Sequence, residues 1–400
     1  MKKLLVLSLV ALFATVGVFA NSIVIWSSEQ QVDFMRRIGE EFARDTGINV
    51  EVEQVNFGDI KSKFLTAAPA GEGPDIIVGA HDWVGELVTN GLIEPIPKSA
   101  VEVDKYADSG IDAFTWEGKL YGLPYAIESV SIYYNKDYVD EVPTNIEDFK
   151  ALAKEYTTDE TVGFIYRAED FYFSSTFIQG KGGYVFDWSA EEGYDVSDIG
   201  LNNEGAIAGA KIIQSFYEEG IIPQGANYDT MNSMFKEGLA AMVLNGPWAA
   251  KEYLDAGIDY GVFPVTELNL GDGDTGKPFV GVQGLMINAR SENKAFATEF
   301  VVNYLATQEG IYNFYIADPR LPAREDVSQI IAERGGPIPE DIVSSFQKAA
   351  AGGVPMPSVP EMAPVWSAME EAILNIISGT QEVEPALNDA VNKITTAISE

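Results

Sequence analysis

The stretch AAMVLNGPWAAKEYL, residues 240–254, contains the strand–turn–helix order on which the fold prediction rests. Its apolar start is typical of a short strand buried on both faces. Pro247 suits the first position of a following helix, where a missing N–H costs nothing, and Gly257 is predicted to end that helix. Trp248 then lies in the first helical turn, at the carboxyl end of a strand, where ligands bind in open α/β sheets. On this stretch alone, a tryptophan packed in the core is the stronger alternative.

The same alternation of strands and helices runs through both halves of the chain. In the first half, IVIWS (23–27), INVEVEQV (48–55) and DIIVGA (75–80) are predicted strands separated by helices. In the second half, TVGFIYR (161–167) begins another such series. This alternation predicts an α/β fold in two lobes, each a mostly parallel sheet flanked by helices. The sequence has no repeat and no Pro/Ser linker, so we expect the chain to cross between the lobes along continuous segments.

Residues 1–20 are predicted to be a cleavable signal peptide and not part of the fold. Two lysines precede an uncharged apolar run, which ends in an A-x-A-like cleavage site at Ala20. An uncleaved membrane anchor is the alternative, which the polar residues Asn21 and Ser22 disfavour. The sequence contains no cysteine that could carry a lipid. We therefore expect a periplasmic protein that is not a lipoprotein and does not insert into a membrane after cleavage.

Composition excludes several classes of function. The chain has 26 basic and 61 acidic residues, a formal net charge of −35, which repels nucleic acid and anionic lipid. The single histidine, His81, has no cysteine or second histidine with which to share zinc, so a structural histidine in a turn is the better interpretation. The acidic turn 271–277 lacks the bidentate glutamate of a calcium loop, because Gln283 occupies that position. We expect no metal, no cofactor and no catalytic residue.

Aromatic and acidic side chains recur at or beside the predicted strand ends. A pyranose presents apolar C–H faces that lie flat on an indole or phenol ring, while its hydroxyls donate to carboxylates. An anion site would need arginines or lysines instead, and few are present. The pattern therefore predicts a site for a neutral sugar. The residues concerned are Trp26, Asp82, Trp83, Glu128, Asp170, Tyr172, Trp248 and Trp366.

Several stretches in order along the chain resemble the maltose- and maltodextrin-binding proteins, the periplasmic solute-binding components of sugar ABC transporters. They are VIW, EEFARDTGINV, GEGPDIIVGAHD, YNKD, KGGYVFD, FKEGLAAMVLNGPWA, KPFVGV and AILNIISG, and they extend from about Ser22 to the carboxyl terminus. The resemblance implies the two-lobed type II periplasmic-binding-protein fold, with three crossovers between the lobes and the sugar in the cleft between them.

The resemblance also implies lobe boundaries. Its motifs place the crossovers near Ala126–Val130, Val280–Gly284 and Asp318–Pro322. The N-terminal lobe would then comprise residues 21–127 plus 283–319, and the C-terminal lobe residues 128–282 plus 320–400.

The sugar-binding positions of the family can be carried over to this sequence by matching motifs. They are Trp26, Asp82, Glu128, Tyr172, Tyr228, Trp248 and Trp366, with Met356 matching more loosely. At other positions the sequence departs from the family, which has a tryptophan at Gly79, a basic residue at Trp83 and a glutamate near Lys61. The family's carboxylate beside the cleft tyrosine becomes Asp170, and its lysine after the first strand aligns near Gln30 and Gln31. These departures leave the glucan, its length and its linkage open.

We therefore expect an exported, non-enzymatic receptor that captures maltose or maltotriose-type α-glucans and delivers them to the membrane subunits of an ABC importer. A monomer is expected, because closure of the cleft needs both lobes free. One alternative is another ligand on the same fold, such as trehalose, a β-linked oligosaccharide or a polyamine. A second is a glycoside hydrolase that uses two of Asp82, Glu128 and Asp170.

Overall fold

The computed structural model describes residues 21–399, so the predicted signal peptide at 1–20 lies outside the described residues. The strands are β1 (Ser22–Ser27), β2 (Asn49–Gln54), β3 (Ile76–Ala80), β4 (Thr115–Trp116), β5 (Lys119–Leu120), β6 (Leu123–Glu128), β7 (Ser131–Asn135), β8 (Val162–Ile165), β9 (Asp187–Ser189), β10 (Gly193–Asp195), β11 (Ala240–Asn245), β12 (Tyr260–Phe263), β13 (Asn269–Gly271), β14 (Asp274–Thr275), β15 (Phe279–Ile287), β16 (Leu321–Pro322) and β17 (Val354–Pro355).

The helices flank these strands. They are α1 (Val32–Thr46), α2 (Phe57–Ala67), α3 (Val84–Thr89), α4 (Asp108–Ala113), α5 (Ile146–Glu155), α6 (Phe171–Gly180), α7 (Glu204–Glu218), α8 (Tyr228–Lys236), α9 (Ala250–Asp255), α10 (Lys294–Thr298), α11 (Gln308–Ala317), α12 (Val327–Arg334), α13 (Glu340–Gly352), α14 (Ala363–Ile377) and α15 (Val383–Ser399). Among residues 21–399, no helix is both long and apolar enough to cross a membrane.

Two large sheets form the framework of the protein. One has the order β16–β6–β15–β3–β1–β2, with β17 beside β15, and the other has the order β12–β7–β11–β8. β1 is parallel to β2 and β3, and β11 is parallel to β8. β15 runs antiparallel to β3 and β6, and β7 runs antiparallel to β11 and β12. The predicted α/β class is confirmed, and the antiparallel pairs involve strands that follow another strand without an intervening helix.

The buried apolar side chains form two separate clusters. The N-terminal core surrounds the larger sheet and includes Ile25 and Leu285, and the C-terminal core surrounds the smaller sheet and includes Phe164 and Val243. We use N-terminal lobe and C-terminal lobe for the parts of the chain around these two cores. Between residues 21 and 399 the chain changes core in three places, so the protein is built from two α/β lobes joined by three segments.

Around the predicted third crossover at Asp318–Pro322 the chain contacts both cores, since Ile316 packs against the N-terminal core and Leu321 against the C-terminal core. Ala323 and Val327 belong to the N-terminal core, because α12 packs against that lobe, and Ile338 is the next residue of the C-terminal core. The intervening link contains Gly335, whose φ of 87° is in the left-handed region that favours glycine. The first two changes of core lie between β6 and β7 and within β15.

Candidate functional site

The stretch quoted first forms a strand, a tight turn and a helix that hold Trp248 at the edge of the C-terminal lobe. β11 is buried throughout and is followed by Gly246 and a single helical turn, Pro247–Ala249, before α9 begins. A Cβ atom on residue 246 would lie 2.0 Å from Cζ3 of Trp248, so glycine is what lets the ring lie against the backbone. Nε1 of the indole donates to the hydroxyl of Tyr228 at 3.0 Å. The half-buried ring is therefore fixed in orientation.

Tyr172 lies beside Trp248 and carries a buried hydroxyl. The two ring centroids are 6.1 Å apart, and Tyr172 also stacks on Phe279 with centroids 6.3 Å apart. The hydroxyl makes no hydrogen bond with any described residue. Burial, and then the nearby Glu128 carboxylate, raise the pKa of Tyr172 well above its usual value. A buried hydroxyl without a partner is unfavourable by about 1–3 kcal/mol.

Asp82 and Trp366 bring the two lobes into contact. Asp82 follows β3 in the helical turn His81–Trp83, and Trp366 lies in the first turns of α14. Nε1 of Trp366 donates to Oδ2 of Asp82 at 3.1 Å. Burial raises the pKa of Asp82, against opposing contributions from His81, Lys61 and Trp366. An aromatic ring of one lobe and a carboxylate of the other therefore meet in one site.

His81, in the turn His81–Trp83, contacts backbone atoms of both lobes. Its Nδ1 accepts from the backbone N–H of Val282 at 3.1 Å, and its Nε2 lies 3.0 Å from the carbonyl oxygen of Met356. Both contacts are satisfied by the neutral ring with its proton on Nε2, and burial lowers the pKa of His81. The Met356 side chain is buried in the C-terminal core, so at this point its carbonyl, and not its thioether, contacts the other lobe.

Glu128 ends β6 and is paired with a buried arginine. Its Oε2 contacts Nε of Arg320, and its Oε1 accepts from Nε2 of Gln283 at 2.8 Å. Burial raises the pKa of Glu128, and Arg320 and Gln283 oppose that rise. Gln283 and Arg320 are not among the predicted site residues. Their signals are a polar residue in an otherwise apolar strand and a basic residue beside a predicted crossover.

Asp170 and Lys61 are engaged by neighbouring protein groups. Asp170 caps α6, since its Oδ1 accepts from the backbone N–H of Tyr172 at 2.9 Å, and its Oδ2 lies 3.4 Å from Nη1 of Arg167. Burial raises its pKa, and Arg167 opposes the rise. Nζ of Lys61 pairs with Oε2 of Glu86 at 3.0 Å, and its charge lies close enough to lower the pKa of Asp82.

Trp26 and Trp83 pack within the N-terminal lobe. Nε1 of Trp26 donates to Oε2 of Glu53 on β2 at 2.6 Å. Trp83 is 6% exposed, and its ring centroid is 5.3 Å from that of Phe57. A Cβ atom on Gly79 would lie 1.9 Å from Cζ3 of Trp83, so the Trp83 ring fills the space above that glycine. An indole reaching back from residue 83 therefore occupies the space that a side chain on residue 79 would take.

The contacts described above bring most of the predicted site residues together at the junction of the lobes. The set comprises Lys61, Asp82, Glu128, Asp170, Tyr172, Tyr228, Trp248 and Trp366. No group of three or more His, Asp or Glu residues within 21–399 could hold a metal ion. The site therefore offers aromatic faces and hydrogen-bonding oxygens, a combination suited to recognition of polar, uncharged molecules with apolar faces.

Comparison with known proteins finds relatives that are named for the carbohydrates they bind. A maltotriose-binding protein of Pyrococcus abyssi is 30% identical over 91% of this chain and 79% of its own length. A maltodextrin-binding protein of Bacillus subtilis is 29% identical over 93% of this chain and 89% of its own length. A galactooligosaccharide-binding protein of the same species is 28% identical over 92% and 88%.

A solved structure and a family model extend the comparison to the fold. The structure of the Thermus thermophilus maltotriose binding protein, bound with maltotriose, has a TM-score of 0.86 and 33% identity, covering 94% of this chain and 100% of that one. The predicted two-lobed type II periplasmic-binding-protein fold is confirmed by this match. Residues 37–341 match the family model described as bacterial extracellular solute-binding protein. The chain belongs to the bacterial extracellular solute-binding protein family.

Proposed function

We propose that this protein is a non-enzymatic receptor that captures a maltose- or maltotriose-type α-glucan between its lobes. The observation that carries the proposal is the meeting of Trp366 and Asp82 across the lobes, beside the Trp248–Tyr172 aromatic pair. Stacking rings and hydrogen-bonding oxygens then come from both sides of one cleft. The relatives named for maltotriose and maltodextrin support an α-glucan as the ligand.

The pairing of charges within the site favours a neutral ligand over a polyamine. Glu128 contacts Arg320, and Lys61 is paired with Glu86 at 3.0 Å. Asp82 accepts from an indole N–H. A polyamine would need carboxylates free of cationic partners, whereas a sugar hydroxyl can donate to a carboxylate oxygen that is already partly satisfied.

The same contacts favour binding over hydrolysis. A glycosidase needs two carboxyl groups that are free to act on the glycosidic bond, one as an acid and one as a nucleophile or base. The three candidate carboxyl groups are those of Asp82, Glu128 and Asp170. Each of them has a structural partner, namely Trp366, Arg320 and the amino end of α6. We therefore expect maltotriose to be recovered intact after prolonged incubation, and a shortened product in a chromatogram would contradict this.

Delivery to an importer belongs to the same proposal. The family is that of extracellular solute-binding proteins, and the curated relatives include a maltooligosaccharide ABC transporter solute-binding lipoprotein of Streptococcus pneumoniae. Here the sequence contains no cysteine, so we propose that residues 1–20 are cleaved and release a free protein, monomeric in the periplasm. The membrane subunits of an ABC importer would recognise its closed form.

A thermal-shift titration with a panel of ligands tests the ligand class. A ligand that binds only the folded protein stabilises it by RT ln(1 + L/Kd), where L is the free ligand concentration, so at equal concentrations the tighter ligand raises the melting temperature more. We expect maltose and maltotriose to raise it, with trehalose, a β-linked glucan and spermidine giving smaller effects. A galactooligosaccharide is included because one relative is named for it. A larger shift with that sugar, or no shift with any α-glucan at millimolar concentration, would refute the α-glucan assignment.

A further inference from the structure

Arg320 is a buried arginine at the junction of the lobes, and it is not among the residues expected to contact the sugar. It is 3% exposed. Its guanidinium contacts the carboxylates of Glu128 and Asp318, and Nη2 donates to Oε1 of Gln30 at 3.0 Å. Its Cζ lies 5.5 Å from the centroid of the Trp248 ring. One side chain therefore touches two acids, an amide and an indole.

These partners come from both lobes. Arg320 lies where the chain contacts both cores, since Leu321 packs against the C-terminal core and Ala323 lies in the N-terminal core. Its guanidinium reaches Gln30 and Tyr125 of the N-terminal lobe. Trp248 packs against the C-terminal core. The guanidinium is thus bonded to groups of the N-terminal lobe and lies over the Trp248 ring of the C-terminal lobe.

The chemistry of this contact depends on arginine in particular. Because a guanidinium is planar, it can pair with a carboxylate and lie over an aromatic face at the same time. Lysine would keep the positive charge beside Glu128, but its compact ammonium cannot fill both roles. The ion pairs hold the guanidinium in place, and it in turn restrains the Trp248 ring from the other lobe.

We propose that Arg320 is a positioning residue that holds the Trp248 indole for stacking on the sugar and couples that stacking to the closed arrangement of the lobes. This inference rests on the proposed sugar-binding function. It adds to that function a residue that acts through Trp248 and Glu128. Weakening the contact should lower affinity for sugar more than it lowers the stability of the fold.

Arg324 supplies a matched control four residues further along. It is also buried, pairs with Asp326 and Glu102, and lies over an aromatic ring, that of Tyr106, at 5.7 Å. All of these partners belong to the N-terminal lobe. An Arg-to-Lys change at this position therefore disturbs a buried ion pair and a cation–aromatic contact without touching the junction of the lobes.

The experiment compares Arg320→Lys, Arg324→Lys, Trp248→Phe and the double variant Arg320→Lys/Trp248→Phe in the full chain. Maltotriose affinity is measured by calorimetry, and folding is checked by circular dichroism. We expect Arg320→Lys to weaken binding about tenfold and Arg324→Lys by less than about twofold. In the Trp248→Phe background, the further loss from Arg320→Lys should shrink to about threefold or less, because the two residues act together.

Tryptophan emission of the ligand-free proteins provides a second readout, independent of sugar binding. A cation over the indole perturbs its emission, so Arg320→Lys should change the spectrum when Trp248 is present and leave it unchanged in the Trp248→Phe background. Wild-type affinity in Arg320→Lys, independent effects of the two substitutions, or unchanged emission would each overturn the inference. If the wild-type protein binds no sugar, the proposed function fails, and the emission comparison alone decides whether Arg320 positions Trp248.

Discussion

Replacing Trp248 by alanine should weaken sugar binding while leaving the fold intact. The substitution removes the half-buried indole, its hydrogen bond to Tyr228 at 3.0 Å, and its ring contacts with Tyr172 and Phe173 at 6.1 and 6.4 Å. It also removes the surface on which Arg320 lies. The backbone of the turn is retained, because Gly246 and Pro247 are unchanged.

The expected loss of affinity follows from the interactions that the indole can make with a sugar. A stacked aromatic side chain at the centre of a binding site is worth about 2 kcal/mol or more when truncated. That corresponds to an increase in Kd of about 30-fold. The ring is not fully buried in the protein, so the cost in unfolding free energy should stay below the roughly 3–5 kcal/mol of a tryptophan deleted from a core.

Trp188→Ala is the matched control, because it removes an indole that is 59% exposed on the β9–β10 hairpin. Calorimetric titration of both variants with maltotriose, with folding checked by circular dichroism, measures the difference. We expect Trp188→Ala to bind like the wild type. Equal loss of affinity in two folded variants would show that Trp248 is not the stacking platform and would refute the reasoning.

Three further predictions concern the ionisation of Asp82, the space beside Gly246 and the closure of the lobes. Burial raises the pKa of Asp82 in the folded protein, so its ionisation lowers the free energy of unfolding as the pH rises through the folded pKa. Asp82→Asn keeps an oxygen acceptor for Trp366, so this variant should melt at a higher temperature than the wild type near pH 7, and the difference should shrink towards about pH 4. A difference in melting temperature that does not change with pH would contradict the raised pKa of Asp82. Gly246→Ala places a Cβ 2.0 Å from the Trp248 ring and should weaken maltotriose binding about tenfold, whereas Gly58→Ala, whose Cβ meets no atom within 4 Å, should bind like the wild type in the same titration. Saturating sugar should reduce the radius of gyration in small-angle scattering, because contacts from both lobes favour the closed state; tight binding with unchanged scattering would point to a preformed site.

Local patterns in the sequence sufficed to predict the strand and helix around Trp248. The all-apolar run 240–244 predicts a buried strand, and Pro247 and Gly257 predict the limits of the following helix; the structure has β11 at Ala240–Asn245, a helical turn from Pro247, and Gly257 at a φ of 82°. These features depend on backbone preferences of residues close in sequence, which is why they could be inferred without the fold.

Partners distant in the sequence could not be inferred in this way. The pairing of Asp82 with Trp366 joins residues 284 positions apart, and Arg320 reaches Gln30 across 290 positions.

The sequence alone determined the α/β class, the resemblance to sugar-binding proteins and the kinds of side chain available for a ligand. These depend on strand–helix alternation, motif order and composition, which are local or additive properties of a sequence. The tertiary structure decided which of those side chains remain available. It buried Trp83 above Gly79, used Asp170 to cap α6, and paired Glu128 with Arg320. The physical reason is that a polar or aromatic group serves a ligand only after the packing and hydrogen bonds of the fold have been satisfied, and those depend on contacts between segments far apart in the chain.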